Sequence, residues 1–315
     1  MSETILKINN LTKRYKNHMA VDHISFEIKK GEVVGLLGTN GAGKSTTINM
    51  LSTILKPDDG SIIFEGKDIK NQIFYFKKNL GVVPQEIAIY EQISVVDNAK
   101  YFCKLYGIPN REIDQRCEKV LKAVDLYDVR NRRPAEFSGG MKRRLNIALA
   151  LLHQPKLVIF DEPTVGVDIQ SRNLILNYIK QLKQEGISVI YTSHYMEEVE
   201  EIADRIIVIK DGHIIANGDV DYIRSMISDN IHLAITVDCI TDEIKKSLNK
   251  NTNVQDIYTE DDVLHIALKK DVSGVAYYEI LDVLREEKCK IKEINTIKEN
   301  LETVFLNITG ERKLV

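Results

Sequence analysis

The chain has 315 residues, of which 43% are hydrophobic and 28% charged, and its formal net charge is -3. This length is enough for one large or two ordinary domains with a hydrophobic core, and the composition is that of an ordinary globular protein. The charge balance supplies no broad basic face, so we expect no nucleic acid as the main partner.

The N-terminal stretch, Met1 to Thr4, lacks the basic and apolar regions of a signal peptide. No apolar run in the sequence approaches the roughly 18 residues that a membrane-spanning helix needs. We therefore expect a cytosolic protein.

Two strand-like segments begin the chain, Ile5 to Ile8 and Ala20 to Ile28, and Tyr15 lies between them. Ordinary packing of an aromatic ring at a strand end is the simpler interpretation of Tyr15. The functional interpretation is a platform for an adenine ring, a stacking interaction of about 1–3 kcal/mol per base.

A phosphate-binding motif, G-x-x-x-x-G-K-[ST], follows the apolar run Val33–Leu37 and opens a predicted helix from Lys44 to Leu55. Glycines let the backbone wrap tightly around phosphates, and the helix N-terminus adds unpaired N–H groups. Lys44 can reach the β- and γ-phosphates, and Ser45 can hold Mg²⁺ through its hydroxyl. The predicted nucleotide-binding residues of this loop are Gly38, Asn40, Gly41, Ala42, Gly43, Lys44, Ser45 and Thr46.

A glutamine stands at the end of a further predicted strand. The run Leu80–Val83 is closed by Pro84, which leaves Gln85 at the strand's mouth with its amide free to bond. A lone glutamine there is usually a surface amide. Beyond it, Val95–Tyr106 and Arg111–Asp125 have helical spacing and predict a separate helical subdomain.

The element Ser138-Gly139-Gly140 opens another predicted helix, which runs to about His153 with Ser138 as its N-cap. Two glycines inside a helix start cost roughly 1 kcal/mol each relative to alanine, so something is expected to approach that backbone. An exposed helix N-terminus makes this a second anion site. The following Lys142-Arg143-Arg144 is more typical of a solvated helical face than of a nucleic-acid patch.

The apolar run Leu157–Phe160 predicts a strand buried on both faces, ending in Asp161 and Glu162. Because ligands of open α/β sheets bind at the carboxyl ends of strands, Asp161 is a candidate for Mg²⁺ and Glu162 for polarising the attacking water. The alternative is a solvated acidic turn. A later predicted strand, Ser188–Tyr191, leads to His194, which is either a polar cap or a donor to the γ-phosphate.

Together these motifs resemble the ATP-binding cassette (ABC) ATPases over about residues 3 to 220. The Ser-Gly-Gly element is the most specific part, because it separates this family from other phosphate-loop NTPases. Phe137 and Met141 differ from the Leu and Gln of the commonest family signature, but the serine and both glycines are kept. The matching features follow in the family's order: the phosphate loop, Gln85, Phe137–Met141, Leu157–Glu162, Asp168 and His194.

The resemblance implies an α/β fold in which residues 1–220 form the nucleotide-binding domain. This domain would contain a phosphate-loop NTPase core, an antiparallel β subdomain and a helical subdomain at about residues 86–153. It would be an ATPase that uses ATP and Mg²⁺.

In that family two cassettes pair head to tail, and ATP on one phosphate loop is closed over by the Ser-Gly-Gly element of the other. The resemblance therefore implies a dimer with a second cassette, in which Ser138, Gly139 and Gly140 complete the partner's site. The implied roles are adenine stacking for Tyr15, γ-phosphate and metal sensing for Gln85, a dimer contact for Asp168 and a switch for His194. The implied catalytic residues are Lys44, Glu162 and His194, and the implied metal ligands are Ser45, Gln85 and Asp161.

More narrowly, the stretches Val83–Glu86, Phe137–Leu145 and Asn300–Leu306 look like those of bacterial drug, sodium or polysaccharide exporters. The resemblance then implies an integral membrane permease as a partner, which docks at about residues 86–106 and holds the ATPase on the inner face of the membrane. A self-contained helical pack is the alternative for that region. The alternative function is a soluble ABC ATPase that acts on a partner such as the ribosome.

A second, smaller domain is predicted for residues 221–315. The pattern predicts strand, helix, two strands, helix and strand, an order that is typical of the ferredoxin-like arrangement. No catalytic constellation appears in it, so we expect a dimerisation or regulatory role. The four cysteines are scattered and favour plain thiols over metal or disulfide sites: Cys103, Cys117, Cys239 and Cys289.

Overall fold

A computed structural model describes residues 3–226, 230–269, 275–287, 289–297 and 301–310. The chain divides into two compact units, residues 1–220 and 221–315. Among the described residues, no helix is both long and apolar enough to cross a membrane.

The first unit alternates strands and helices, with two short 3₁₀ helices at Ile69–Asn71 and Pro134–Glu136. Its elements are, in chain order, β1 (Thr4–Tyr15), β2 (His18–Lys29), β3 (Val33–Gly38), α1 (Lys44–Leu51), β4 (Asp59–Phe64), β5 (Lys67–Asp68), α2 (Ile73–Lys78), β6 (Leu80–Val83), α3 (Val95–Leu105), α4 (Asn110–Ala123), α5 (Gly139–Leu151), β7 (Leu157–Asp161), α6 (Ile169–Gln184), β8 (Ser188–Thr192), α7 (Met196–Ile202), β9 (Arg205–Lys210) and β10 (His213–Gly218). The next helix, α8 (Val220–Ser225), begins at the last residue of this unit and continues into the second.

The main sheet of this unit has the strand order β10-β9-β3-β8-β7-β6. The five strands from β9 to β6 run parallel, and β10 pairs antiparallel with β9. The apolar runs predicted as buried strands lie in its centre, where every residue of β3 and β8 is buried. The carboxyl ends of β3, β8, β7 and β6 therefore meet along one edge.

A second, antiparallel sheet has the order β2-β1-β4-β5 and packs on the same core. Phe64 of β4 contacts Phe76 of α2 edge to face, with ring centroids 5.1 Å apart. Both rings belong to one apolar cluster with Leu36 of β3 and Ile159 of β7. This shared core fixes the β1–β2 hairpin against the main sheet.

The helices α3, α4 and α5, which come between β6 and β7 in the sequence, pack against one another. Ser94 and Ser138 cap α3 and α5 as their N-terminal residues, because each hydroxyl accepts a backbone N–H three residues on. Inside this group the thiols of Cys103 and Cys117 lie 3.8 Å apart and are buried. The two cysteines are neighbours in the core, a proximity that their spacing in the sequence does not indicate.

The second unit is a four-stranded antiparallel sheet with helices packed on its apolar face. Its strand order is β12-β13-β11-β14, and its elements follow the order that the periodicity predicts. The stretch Asn300–Leu306, which resembles that of bacterial exporters, begins with a residue outside the described ones. Its remaining residues lie in the last helix of the unit. The elements are β11 (Asn230–Val237), α9 (Asp242–Asn249), β12 (Val254–Glu260), β13 (Val263–Lys269), α10 (Val275–Glu286), β14 (Ile291–Ile297) and α11 (Leu301–Thr309).

Candidate nucleotide site

Four loops follow the neighbouring strands β3, β8, β7 and β6 at the carboxyl edge of the main sheet. In sheet order they carry the phosphate loop, His194, the pair Asp161 and Glu162, and Gln85. Open α/β sheets bind their ligands at this edge. The topology therefore gathers the predicted residues of one half-site from segments that are far apart in sequence.

The phosphate loop is held from behind by the β1–β2 hairpin. Gly43 has φ 107°, and a Cβ on it would lie 2.4 Å from the carbonyl oxygen of Ala20, so only glycine fits there. Tyr15 lies at the hairpin end of β1 and is 46% exposed, with Nζ of Lys13 6.0 Å from its ring centroid. An exposed ring on the hairpin that supports the phosphate loop can offer its face to a base.

Lys44 begins α1 and turns back over the loop. Its Nζ donates to the carbonyl oxygens of Gly38 at 2.5 Å and Thr39 at 3.0 Å. Ser45 is exposed and Thr46 half-buried in the first turn of α1, where unpaired N–H groups and the helix dipole favour an anion. Of the remaining predicted loop residues, Asn40 and Gly41 are exposed and Ala42 is buried.

Thr192, at the end of β8, ties the two carboxylate residues together. Its hydroxyl donates to Oδ1 of Asp161 at 2.8 Å and accepts the backbone N–H of Glu162 at 2.9 Å. Glu162 has φ 49°, a left-handed backbone that is costly for a residue with a side chain. The strained turn is thus stabilised by a neighbouring strand, and it sends the two side chains in different directions.

The carboxylate of Glu162 receives donors from both neighbouring loops. Nε2 of Gln85 donates to Oε2 at 2.9 Å, and Nε2 of His194 lies 2.6 Å from Oε1. Glu162 is buried, with 9% of its surface exposed, whereas Gln85 and His194 are both exposed. The three predicted residues therefore form one cluster whose outer members can move without disturbing the core.

The Ser-Gly-Gly element lies against the segment that follows Glu162. A Cβ on Gly140 would lie 2.3 Å from Oγ of Ser171 and 2.5 Å from Oδ2 of Asp168. A Cβ on Gly139 would have the carbonyl oxygen of Gly166, at 3.7 Å, as its nearest neighbour. The groups that approach Gly140 are therefore side chains of this same chain, a structural reason that the sequence analysis missed. Ser138 and Gly139, in contrast, are exposed.

Asp168 caps α6, with its Oδ1 accepting the backbone N–H of Ser171 at 2.9 Å. The backbone and side chain of Ser171 hold the pKa of Asp168 below its usual value. The exposed carboxylate is consequently ionised and fixed beside the Ser-Gly-Gly element.

The predicted solvated face at Lys142-Arg143-Arg144 is wrong for both arginines, which are buried, and α5 is enclosed by α4, α6 and β6. Arg143 donates to the carbonyl oxygens of Pro84 and Gln85, and Arg144 to that of Val124 at 2.8 Å. Lys142 pairs with Glu91 at 2.7 Å. Long cationic side chains can pack their stems inside and use their heads to satisfy loop carbonyls.

A buried carboxylate that the sequence analysis missed, Glu198, lies behind the site. It accepts hydroxyl hydrogen bonds from Thr164 at 2.8 Å and from Tyr191 and Ser193 at 2.7 Å. Nε of Arg172 lies 2.8 Å from Oε1 of Glu198, although its N–H does not point along that line. Glu198 stands in an acidic run that is typical of a solvated face, so no local sequence signal identifies it.

The residues fit a triphosphate with a divalent cation. The phosphate loop offers backbone N–H groups and an ammonium, and Ser45, Gln85 and Asp161 offer the oxygen ligands that Mg²⁺ prefers. Ser138, Gly139 and Asp168 form a separate exposed group at the N-termini of α5 and α6, beside the buried Gly140.

Comparisons with known proteins point to one family. The sequence model of the family described as "ABC transporter" matches residues 21–165. The chain is 40% identical over 310 residues to the linearmycin resistance ATP-binding protein LnrL of Bacillus subtilis, covering 97% of this chain and 98% of LnrL. It is 41% identical over 203 residues to the ABC transporter ATP-binding protein NatA of the same organism, covering 64% of this chain and 82% of NatA.

Solved structures resemble the first unit. The chain superposes on cbiO1 from Clostridium perfringens, part of the ABC transporter complex cbiONQ, with a TM-score of 0.66 and 30% identity over 71% of this chain and 91% of that one. It superposes on the dimeric, post-hydrolysis ATP-binding cassette MJ0796 bound to ADP and Pi with a TM-score of 0.62 and 25% identity, covering 69% and 99% of the two chains.

Proposed function

This chain belongs to the ABC transporter family of ATP-binding proteins, and from that premise we propose that it drives export through a separate membrane permease by closing with a second copy of itself over ATP. The chain is the ATP-hydrolysing subunit of an ABC transporter. The observation that carries the proposal is the contact of Gln85 and His194 with the carboxylate of Glu162, beside the phosphate loop.

Binding of ATP is assigned to the phosphate loop. Lys44 would leave the carbonyl oxygens of Gly38 and Thr39 for the β- and γ-phosphates, and Tyr15 would stack on the adenine. Ser45, Gln85 and Asp161 would hold Mg²⁺. When bound, the ion neutralises charge that develops on the transferring phosphoryl group.

Hydrolysis is assigned to Glu162 as the base that polarises the attacking water. A buried carboxylate with its backbone fixed by Thr192 is well oriented for this task. His194 would exchange its contact with Glu162 for one with the γ-phosphate, which frees Oε1 to accept a proton from water. Gln85 keeps the other carboxylate oxygen in position.

The second half of each site is assigned to the partner copy. Ser138 and Gly139 are exposed at a helix N-terminus, and nothing nearer than 3.7 Å would meet a Cβ on Gly139. A γ-phosphate bound to the other copy could approach this backbone closely. Head-to-tail pairing would bring each such helix end over the other copy's phosphate loop, with Asp168 at the interface.

Binding of the permease is assigned to an exposed apolar patch that follows Gln85 in the sequence. This patch consists of Ile87, Tyr90, Ile93, Tyr101 and Leu105. The exposed fractions of these residues range from 38% for Ile87 and Ile93 to 63% for Leu105. An exposed cluster of aromatic and aliphatic side chains is typical of a protein interface. A cytoplasmic helix of the permease is the occupant that we propose.

The cargo class is assigned from the relatives. LnrL is named for linearmycin resistance and matches almost the whole chain, including the second unit, whereas NatA matches 64% of it. We therefore propose export of a drug-like compound. The second unit, residues 221–315, would be a ferredoxin-like accessory domain that regulates or stabilises the dimer.

Co-purification tests the transporter assignment. The tagged chain should pull a polytopic membrane protein from detergent-solubilised membranes of its own cells. Leu105→Glu should abolish this capture, whereas Tyr278→Glu, at a 70% exposed aromatic residue in α10, should not. Capture of ribosomes in place of a membrane protein would refute the proposal.

A further inference from the structure

Arg143 is a buried cation that bonds to backbone carbonyls of the Gln85 loop. It lies in α5 with 4% of its surface exposed. Its Nη1 donates to the carbonyl oxygen of Pro84 at 2.8 Å, and its Nη2 donates to that of Gln85 at 2.5 Å. The rigid fork of a guanidinium can hold two successive carbonyls at once, which a lysine cannot do.

The same loop has a second attachment to α5. Oδ1 of Asn146, one turn after Arg143, accepts the backbone N–H of Ala88 at 3.2 Å. The segment from Pro84 to Ala88 is thus bound at both ends to one face of α5. Since residues three apart on a helix share a face, this attachment is a property of the helix as a unit.

Beyond this loop the contacts continue to the reacting centre. The side chain of Gln85 donates to Oε2 of Glu162 at 2.9 Å, so the carbonyl that Arg143 holds and the amide that touches Glu162 belong to one residue. We propose that Arg143 is a positioning residue for ATP hydrolysis, which fixes the backbone of Gln85 and thereby sets its amide against Glu162. The proposal rests on the function assigned above and extends it to a residue that touches neither nucleotide nor metal.

The cost of burying Arg143 supports a role beyond packing. Burial lowers the pKa of its guanidinium, and the partners it has among the described residues are carbonyl oxygens rather than a carboxylate. A buried charge without an opposite charge is expensive to keep. An apolar residue of similar length would fill the space at less cost, but it would leave the Gln85 loop without its two donors.

The helix that holds Gln85 also begins with the Ser-Gly-Gly element, because α5 starts at Gly139. A movement of α5 would therefore carry the Gln85 backbone with it. Arg143 is the direct link between the helix and the glutamine, so its loss should uncouple the two.

Steady-state ATPase assays on the full chain test this role with Arg143→Met, Arg143→Lys and the control Lys142→Met. Arg143→Met should lower kcat by about 10- to 100-fold, the scale of a misplaced reacting group, with KM for ATP within about 3-fold of wild type. Arg143→Lys should give an intermediate kcat. Lys142→Met removes the neighbouring cation, whose partner is Glu91, and should leave kcat within about 2-fold.

A double-mutant cycle with Gln85→Ala separates positioning from general structural damage. If Arg143 acts through Gln85, adding Arg143→Met to Gln85→Ala should lower kcat by less than about 3-fold further. Multiplicative losses in the double variant, or a wild-type kcat for Arg143→Met, would overturn the inference. Circular dichroism checks folding. If Arg143→Met does not fold, Arg143→Lys replaces it in the double-mutant cycle with Gln85→Ala. A wild-type chain without ATPase activity would instead refute the proposed function.

Discussion

Nε2 of His194 lies 2.6 Å from Oε1 of Glu162, so the loop that follows β8 touches the carboxylate in the loop that follows β7. The side chain of His194 is 44% exposed, whereas that of Glu162 is 11% exposed. The histidine can therefore rotate outward while the glutamate stays fixed. Contact with the γ-phosphate would draw His194 away and leave Glu162 open to water.

Glu162→Gln should retain ATP binding and lose turnover. Binding depends on the phosphate loop, which the substitution leaves intact, whereas an amide cannot take a proton from water. We expect kcat to fall by about 10²- to 10⁴-fold, the usual contribution of a general base. The variant should also accumulate as an ATP-bound dimer, which size-exclusion chromatography with light scattering would detect.

The control for this variant is Glu201→Gln, because Glu201 is an exposed glutamate that pairs with Lys180 on the surface. It should keep wild-type turnover and remain monomeric under the same conditions. Wild-type hydrolysis by Glu162→Gln would remove Glu162 as the base. A strictly monomeric, ATP-loaded Glu162→Gln would refute the paired site.

The two glycines of the Ser-Gly-Gly element should respond differently to alanine. Gly140→Ala would force a Cβ to within 2.3 Å of Ser171, so we expect a loss of stability of about 1–3 kcal/mol. Gly139→Ala makes only an ordinary van der Waals contact, 3.7 Å from the carbonyl oxygen of Gly166, and should keep or slightly raise stability, because alanine favours helix by up to about 1 kcal/mol. Its new methyl group would nevertheless obstruct a phosphate of the partner copy and lower ATPase activity.

Urea denaturation and steady-state ATPase assays on both variants check this pair. The informative result is a separation of the two quantities in Gly139→Ala, with activity reduced and unfolding unchanged. Equal stability of the two variants would contradict the contact of Gly140 with Ser171. Full activity of Gly139→Ala would contradict the assignment of this backbone to a nucleotide.

Sequence periodicity predicted most of the first unit because its central strands are continuous apolar runs. Leu80–Val83 is confirmed to the residue as β6, and the Lys44 helix starts where the motif predicts. That helix ends at Leu51 rather than at the predicted Leu55. Thr53 has φ 62°, and the N–H groups of Ile54 and Leu55 both bond to Asn49, a termination that no glycine or proline announces.

The contacts that sequence could not supply are those between distant segments. Arg143 meets Gln85, and Gly140 meets Asp168, only because α5 packs against both β6 and α6. The basic triplet Lys142-Arg143-Arg144 is equally compatible with a solvent-exposed and with a buried helix face. The motifs therefore predicted which loops come together at the carboxyl edge of the main sheet, while the packing of α5 decided how they are held there.

Glu198→Gln should destabilise the first unit and slow hydrolysis together. The buried carboxylate accepts hydroxyl hydrogen bonds from Thr164, two residues after Glu162, and from Ser193, directly before His194. It also pairs with Arg172. Its amide would offer one acceptor where the carboxylate has two, at a cost of about 1–3 kcal/mol for partners left unsatisfied. Urea denaturation gives the stability, and kcat reports the displacement of the loops.

The matched control is Glu197→Gln, one residue earlier in α7, where the side chain is 88% exposed. Its distance of 3.7 Å from Arg172 is that of a weak surface pair, so stability and kcat should both stay near wild type. If the two glutamine variants behave alike, Glu198 does not hold these loops.

His153 should make the folded state sensitive to mild acid. Burial lowers the pKa of its imidazole, which stacks on Tyr106 with centroids 4.0 Å apart and bonds through Nε2 to the carbonyl oxygen of Leu80. The folded protein thus binds this proton less readily than the unfolded chain does. The stabilisation is complete above the unfolded pKa of about 6.5 and is lost as the pH falls from there toward the lower, folded pKa.

His153→Gln should therefore flatten the decrease in urea midpoint between pH 7.5 and 5.5, whereas His18→Gln, at an exposed histidine, should leave that decrease unchanged. An undiminished pH slope in His153→Gln would mean that another group is responsible for the acid sensitivity.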